Sequence, residues 1–366
     1  MSSTERPSGT DAGPASASPS ELNIDALATY LSSVVDDLDP RLLSATLIAG
    51  GRSNPTYALT DGSRRWVLRR PPYGEYVKSG HDMGREVTAM TALTGSEVPV
   101  PRVVTYCQDT HVLGAPFYVM DAVEGRTYRT REDTEALRED QRKALSTSLV
   151  QTLADLHAVN PVDVGLEDWG RPDGYLSRQL QRWGKQWTAV ATSERPEVAA
   201  ILARLEASMP TPQRTGIVHG DFKIDNIMVD RAEPGRILAV LDWEMSTLGD
   251  TMADLGLLVS FWDEPGALPN PITQGATALP GFPNADDIVD SYARRLGAEV
   301  DRLDWYVVFS DLKIAVILEQ IHKRHLAGTT MGEGFDDIGD MVGPLLERAM
   351  ERAARSDDPL LRGVGA

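Results

Sequence analysis

Apolar residues at Leu27, Tyr30, Leu31, Val34, Val35 and Leu38 trace one stripe of an amphipathic helix, and Asn23 is placed to cap its start. After this helix the period shortens. The stretch 47–59 reads as strand, glycine turn, strand, and Trp66–Arg70 as a further strand beyond the Asp61-Gly62 turn. A helix is predicted over 81–94, then paired strands at Val103–Cys107 and Phe117–Met120 around a turn at 109–114. The chain then becomes helical. Leu145, Leu149, Leu153 and Leu156 mark a helix ending near His157, which reads as a packing or capping residue. Leu176, Leu180, Trp183 and Trp187 mark another, the tryptophans being core or an aromatic wall of a pocket. Two short strands, 227–230 and 237–241, flank a Pro234-Gly235 turn. A buried helix over 255–262, a Pro-, Gly- and Asn-rich loop over 263–287 (lid or substrate-contacting surface) and helices near 287–297, 303–326 and 335–355 complete the pattern.

The chemistry gathers at that pair of short strands. A hairpin brings Asn226, before its first strand, and Asp242, after its second, to the same end, with Asp221 on the loop beside them. Phosphoryl transfer from Mg·ATP needs hard oxygen ligands for the metal, a carboxylate for the proton of the attacking hydroxyl, and cations for phosphate charge. Asn226 and Asp242 suit the metal, Asp221 the base and Lys223 the cation. A surface hairpin with a few loop acids is the ordinary alternative for any one of these residues. Their common register across 217–254 favours the chemistry.

The spacing His219-x-Asp221-x-Lys223-x-x-Asn226 matches the catalytic loop of kinases. With Gly220 between His219 and Asp221, and with the stretch Gly249-Asp250-Thr251-Met252-Ala253-Asp254-Leu255, the chain resembles the aminoglycoside phosphotransferase and choline kinase group of small-molecule kinases. The segments Asp242–Asp250 and Leu68–Pro72 look closer to the branch found fused to acyl-CoA dehydrogenases. The resemblance implies an α+β, bilobal protein-kinase-like fold: a tail over 1–20 expected to be disordered, a small antiparallel β-rich N lobe over 21–120 and a larger, mainly helical C lobe over 121–358. Gly50, Gly51, Ser53 and Asn54 would line the phosphates. Arg69, standing where kinases carry lysine, would contact them, and Glu86 would hold Arg69 in place. Since Arg69 and Arg70 point to opposite faces of the strand, only one of them can do so. Met120, Asp121 and Val123 would meet the adenine. His219 is expected to brace the catalytic loop rather than move a proton, and Asp254 to brace its backbone.

The activity so implied is transfer of the γ-phosphoryl group of ATP, with Mg²⁺, to a hydroxyl of a small molecule, a hydroxyacyl or other small alcohol being favoured over an aminoglycoside or choline. The alternative is a non-catalytic nucleotide-binding module with a regulatory role. A dinuclear phosphate hydrolase would want more His and carboxylate ligands. A protein kinase would carry the Asp-Phe-Gly and Ala-Pro-Glu segments that this chain lacks.

Composition narrows the remainder. The 366 residues are 42% apolar, enough for two modest lobes, and carry a formal charge of −18, which disfavours a nucleic-acid partner. Cys107 is the single cysteine, so an internal disulfide is excluded. No apolar run predicts a membrane span, and the N-terminus lacks a secretory core segment, so a cytoplasmic location is expected. Oligomeric state is left open.

Overall fold

In the computed structural model the described residues are 22–48, 54–72, 82–266, 270, 272–328 and 335–363. The first third of the chain holds α1 (Ile24–Ser32), β1 (Ser44–Leu47), β2 (Thr56–Thr60), β3 (Arg65–Arg69), α2 (Met83–Leu93), β4 (Val103–Cys107), a one-turn α3 (Thr110–Leu113) and β5 (Phe117–Asp121). The remainder holds α4 (Arg131–Glu135), α5 (Glu139–Ala158), α6 (Tyr175–Val190), α7 (Pro196–Ala207), β6 (Thr215–Val218), β7 (Ile227–Val229), β8 (Ile237–Val240), β9 (Thr247–Asp250), α8 (Met252–Phe261), α9 (Ala285–Leu296), α10 (Leu303–Leu326), α11 (Val342–Ala354) and α12 (Pro359–Arg362). Contacts divide these elements into two compact units, one of residues 1–83 and 103–122, the other of 84–102 and 123–366.

The first unit is built on an antiparallel sheet in the order β1-β2-β3-β5-β4. Its hairpin between β2 and β3 turns where Asp61 accepts the amides of Ser63 and Arg64 at 3.0 and 2.7 Å. Period-two alternation in β3 buries Trp66 and Leu68 on one face, in a core with Leu27, Leu31, Tyr57, Leu59 and Phe117. Arg70 continues that buried face, and its guanidinium donates to the carbonyls of Leu113 and Pro71 at 2.9 and 3.1 Å. Arg69 therefore lies on the opposite face with Val67.

Two expectations change in this unit. Helix α1 starts on its Asn23 cap, with the side chain accepting the Ala26 amide at 3.0 Å, but it ends at Ser32 instead of running to Leu38. Ser32 and Ser33 turn their hydroxyls onto the carbonyls of Ala28 and Tyr30, a local competition that weakens the last turn. The expected turn at 109–114 contains α3, capped by Asp109 and closed by Gly114 at a φ of 79°.

The second unit is mainly helical. Helix α8 is buried on all sides, and α10 packs against both it and α11. The buried Asp311 carboxylate on α10 joins the three: it accepts Ser260 of α8 and the guanidinium groups of Arg348 (2.6 Å) and Arg352 (2.8 Å) on α11. The segment expected as a loop over 263–287 is anchored from within, because buried Asp263 accepts the Thr273 hydroxyl at 2.8 Å and the Gly275 amide at 3.0 Å. Two small sheets carry the polar loop: the expected hairpin β7–β8, and β6–β9, a pairing that sequence patterning had not indicated. Among the described residues no helix is long and apolar enough to cross a membrane.

Candidate active site

The polar loop 219–226 is suspended between the two small sheets. Strand β6 delivers it, with Val218 opposite Thr247 of β9; strand β7 receives it, with Ile227 opposite Val240 of β8. One further hydrogen bond, from the Leu241 amide to the Asn226 carbonyl at 2.8 Å, sets Asp242 beside Asn226. The predicted meeting of these two residues at one end of the hairpin is what the backbone shows. Asp242 takes a left-handed conformation, φ 65° and ψ 63°, which reverses the chain into the Trp243 turn. A non-glycine residue held there costs on the order of 1 kcal/mol, and Asp and Asn are among the few that tolerate it.

Asp221 lies within a ring of donors. The Lys223 ammonium bonds its Oδ2, and the Asn226 amide nitrogen donates both to the Asp221 carbonyl at 2.8 Å and to Oδ2 at 3.0 Å. The Asp221 side chain keeps 24% exposure, whereas Lys223 keeps only 9%. Lys223 also lies 3.6 Å from Asp225 and 5.6 Å from the centre of the Phe261 ring. Burial, the strongest single influence, works against its charge, yet the carboxylates of Asp221, Asp225 and Asp242 together hold its pKa above the ordinary lysine value. Lys223 is thus a permanent cation against the Asp221 carboxylate. Burial raises the pKa of Asp225, with Lys223 pulling the other way.

The loop is braced from beneath. His219 is fully buried; its Nε2 faces the Leu241 carbonyl at 2.9 Å and its Nδ1 receives the Asp221 amide at 3.2 Å. A carbonyl only accepts and an amide N–H only donates, so the ring is the neutral tautomer protonated on Nε2. Burial, which lowers its pKa against the pull of Asp254 and Asp221, agrees. Both ring nitrogens of His219 are thus committed to backbone, one within the loop and one at Leu241. Asp254, in the first turn of α8, accepts the amides of His219 and Gly220 at 2.6 and 2.8 Å. Burial alone would raise its pKa, but the His157 contact and the nearby imidazoles and amide hold it below the usual carboxylate value.

Two members of this support were not legible as such. His157, at the end of α5, sits with Nε2 3.3 Å from Asp254 and Nδ1 2.6 Å from the Tyr292 hydroxyl of α9, so it ties two helices to the loop in addition to packing. Lys313, in the middle of α10, donates to the Gly220 carbonyl. Burial depresses its pKa to about 8 although Asp221 and Asp254 oppose the shift. A signal existed: Lys313 stands alone in the apolar run 312–318, where a charge needs a partner.

Of the other predicted residues, Gly50, Gly51 and Ser53 lie outside the described residues. Asn54 is buried just before β2, Arg69 ends β3 half-buried, and Glu86 is buried on α2. Met120 and Asp121 end β5, with Val123 two residues beyond, all three half-buried. Among the described residues no three His, Cys, Asp or Glu side chains are grouped to hold a metal ion by themselves. Magnesium in nucleotide sites commonly rests on one or two protein oxygens completed by phosphates and water, and Asn226 with Asp242 fits that donor set.

Comparison with known proteins agrees with this geometry. Residues 44–304 match the model of the phosphotransferase enzyme family. The chain is 33% identical over 337 residues to mouse acyl-CoA dehydrogenase family member 10, covering 90% of this chain and 31% of that protein. It is 34% identical over 320 residues to chicken acyl-CoA dehydrogenase family member 11, covering 86% and 41%. The chain therefore spans only 31% to 41% of the length of these curated relatives. Among solved structures, a Ralstonia eutropha protein whose assignment as an aminoglycoside phosphotransferase is itself provisional superposes with a TM-score of 0.78 at 31% identity, over 92% of this chain and all of the other. The aminoglycoside phosphotransferase APH(4)-Ia, in a complex with AMP-PNP and hygromycin B, shares the fold at a TM-score of 0.59 and 17% identity, over 90% and 99% of the two chains. The α+β, kinase-like architecture expected of the sequence is the one found, as is the kinship with the branch joined to acyl-CoA dehydrogenases: the chain belongs to the phosphotransferase enzyme family.

Proposed function

We propose that this chain transfers the γ-phosphoryl group of ATP to the hydroxyl of a small molecule, with Asp221 as the base and a hydroxylated acyl compound as the acceptor. The observation that carries the reading is the Asp221 carboxylate, partly open to solvent and fixed by Lys223 and the Asn226 amide on a loop tied down through Asp254. A group so placed can orient an alcohol and take its proton as the new P–O bond forms and the bond to ADP breaks. Lys223 holds the Asp221 carboxylate by its ammonium and offers a cation to the transferring group. The Asn226 amide nitrogen is spent on Asp221, which leaves its oxygen to join Asp242 as the metal-binding pair. Mg²⁺, when bound there, would neutralise phosphate charge. Arg69 is the candidate for the nucleotide phosphates because Arg70 is committed to the core of its unit. Glu86 would position Arg69; Asn54 with Gly50, Gly51 and Ser53 would line the phosphates; Met120, Asp121 and Val123 would meet the adenine.

A hydroxylated acyl acceptor is favoured over an aminoglycoside by the named relatives, in which the matching region is part of a longer acyl-CoA dehydrogenase family protein. The test is ATP-dependent product formation with hydroxy acids, their coenzyme A thioesters, choline and aminoglycosides, in wild type and Asp221→Ala. Removing the base should slow transfer about 10²- to 10⁴-fold with ATP affinity retained. Undiminished transfer by that variant would remove Asp221 from the role. ATP binding with no acceptor phosphorylated would turn the reading toward a regulatory nucleotide-binding module.

A further inference from the structure

The second unit contains a cavity of about 420 Å³ whose lining carries Arg85, Arg171 and Arg178 against a single carboxylate, Asp168. In a chain of formal charge −18 this local excess of cations runs against the whole. The site is also built. The Arg85 guanidinium donates to the Ser246 carbonyl at 2.9 Å and lies 5.1 Å above the Trp169 ring, so its position is set from two sides. Arg178 donates to the backbone carbonyls of Asp173 and Arg171, holding the loop that presents Arg171. Neither Arg171 nor Arg178 forms an ion pair with a carboxylate among the described residues, and Arg171 is exposed. Gly170 presses that loop onto β9, since a Cβ there would come within 2.8 Å of the Leu248 amide.

The position of the cavity links it to the proposed reaction. Its wall includes Thr247, which pairs with Val218, and Val218 precedes Asp221 by three residues. At 3.8 Å per residue and about 5 Å across the strand pair, the Thr247 backbone is no more than about 17 Å from that of Asp221. We infer that this arginine-lined cavity is an anion subsite for the phosphoryl acceptor, binding a carboxylate or phosphate group of the molecule whose hydroxyl reaches Asp221. The inference rests on the phosphotransferase reading and sharpens it: the acceptor carries negative charge at one end. Three guanidinium groups repel a polycationic aminoglycoside and match the planar or tetrahedral oxygens of an acid or phosphate. The same chemistry occurs in two sources, the carboxylate of a free hydroxy acid and the phosphates of a coenzyme A thioester. The volume suits a small acid or one phosphorylated end of a longer ligand.

Binding measured without ATP separates this inference from the reaction itself. Calorimetric titrations of wild type and of Arg171→Glu would use 6-hydroxyhexanoate, coenzyme A and, as the uncharged control, 1,6-hexanediol. The subsite predicts that at least one anion binds wild type and loses about tenfold or more in affinity in the variant, while the diol is unaffected. Weakened binding of 6-hydroxyhexanoate identifies a carboxylate site; weakened binding of coenzyme A alone identifies a phosphate site. An unchanged unfolding midpoint for Arg171→Glu, a surface substitution, would exclude loss of fold, and Arg178→Gln should weaken the same anion. Failure of both anions to bind, or equal binding by wild type and variant, overturns the subsite. Phosphoryl transfer from ATP, assayed separately with the bound anion and with the diol, reports whether the underlying reading fails instead.

Discussion

The two oxygens of Asp254 are divided between consecutive backbone amides: Oδ2 takes the N–H of His219 at 2.6 Å and Oδ1 that of Gly220 at 2.8 Å. One fully buried carboxylate thereby fixes two peptide planes immediately before Asp221. Substitution Asp254→Asn keeps the size but turns an NH₂ group toward one of those N–H donors. A charge-assisted hydrogen bond is lost and a buried donor is left facing another, together about 2–4 kcal/mol of stability. Urea unfolding of the two proteins measures this directly. A difference within about 0.5 kcal/mol, the usual scatter for neutral surface changes, would mean that the brace contributes nothing.

Gly220 has two reasons to be glycine. Its φ is +83°, and a Cβ would stand 2.7 Å from the Met245 carbonyl oxygen. Protein kinases carry arginine at this step of the motif; here the turn conformation and the close backbone of Met245 exclude any side chain. Gly220→Ala should displace the loop by a fraction of an ångström to an ångström, and displacements of that order cost up to about 10²-fold in rate. Slowed steady-state transfer with intact ATP binding is the expected phenotype. A fully active Gly220→Ala protein would show that Asp221 does not depend on the loop's position.

What was legible in the sequence was local. The spacing of His219, Asp221, Lys223 and Asn226 lies within one loop, and the hairpin that returns Asp242 to Asn226 is closed by a turn with an unambiguous Pro234-Gly235 signal. The alternation of Arg69 and Arg70 was equally legible as period two, but which face was core depended on Trp66 and Leu68 finding Leu27, Leu31 and Phe117 from elsewhere in the chain. The supports of the loop were hidden for the same reason. His157, Tyr292 and Lys313 arrive from helices more than sixty residues away in sequence, and nothing in their own segments records which backbone they will meet. Strand β9 was obscured because Thr247–Asp250 lacks the β-branched run that marks a strand, two of its four residues being Gly249 and Asp250; it is held by pairing with β6. The cavity arginines are split between α2 and the segment 171–178, so no single stretch looks basic.

Asp242 invites a substitution that separates charge from backbone. Asparagine tolerates the left-handed conformation at φ 65°, so Asp242→Asn should fold as wild type does, whereas Asp242→Ala adds about 1 kcal/mol of backbone strain. If Asp242 helps hold Mg²⁺, calorimetric titration with ATP will show Mg²⁺-dependent binding in wild type that weakens about tenfold or more in Asp242→Asn. Identical titrations with and without the metal, in both proteins, would remove Asp242 from the metal site and favour a nucleotide-binding module without catalysis.

Lys313 makes the pH dependence of stability informative. Its pKa falls from 10.5 to about 8 on folding because burial disfavours the charged form; Asp221 and Asp254 draw it upward, and Arg182 and Lys223 add to the fall. A cation whose pKa is lowered in the folded state costs stability below the folded pKa. That cost shrinks as pH rises from about 8 and vanishes above the unfolded value of about 10.5. A fall from 10.5 to about 8 corresponds to about 3 kcal/mol, reduced at every pH by the hydrogen bond that Lys313 gives the Gly220 carbonyl. Lys313→Met removes the titration and the hydrogen bond together. Guanidinium unfolding at pH 7.5, 9 and 10 should therefore find the metal-free wild type gaining on the variant with each step. The activity of the variant should be reduced throughout, since the Gly220 carbonyl has lost its donor. Parallel stability profiles for the two proteins would show that Lys313 is hydrated in the folded state and does not bear on the loop through its charge.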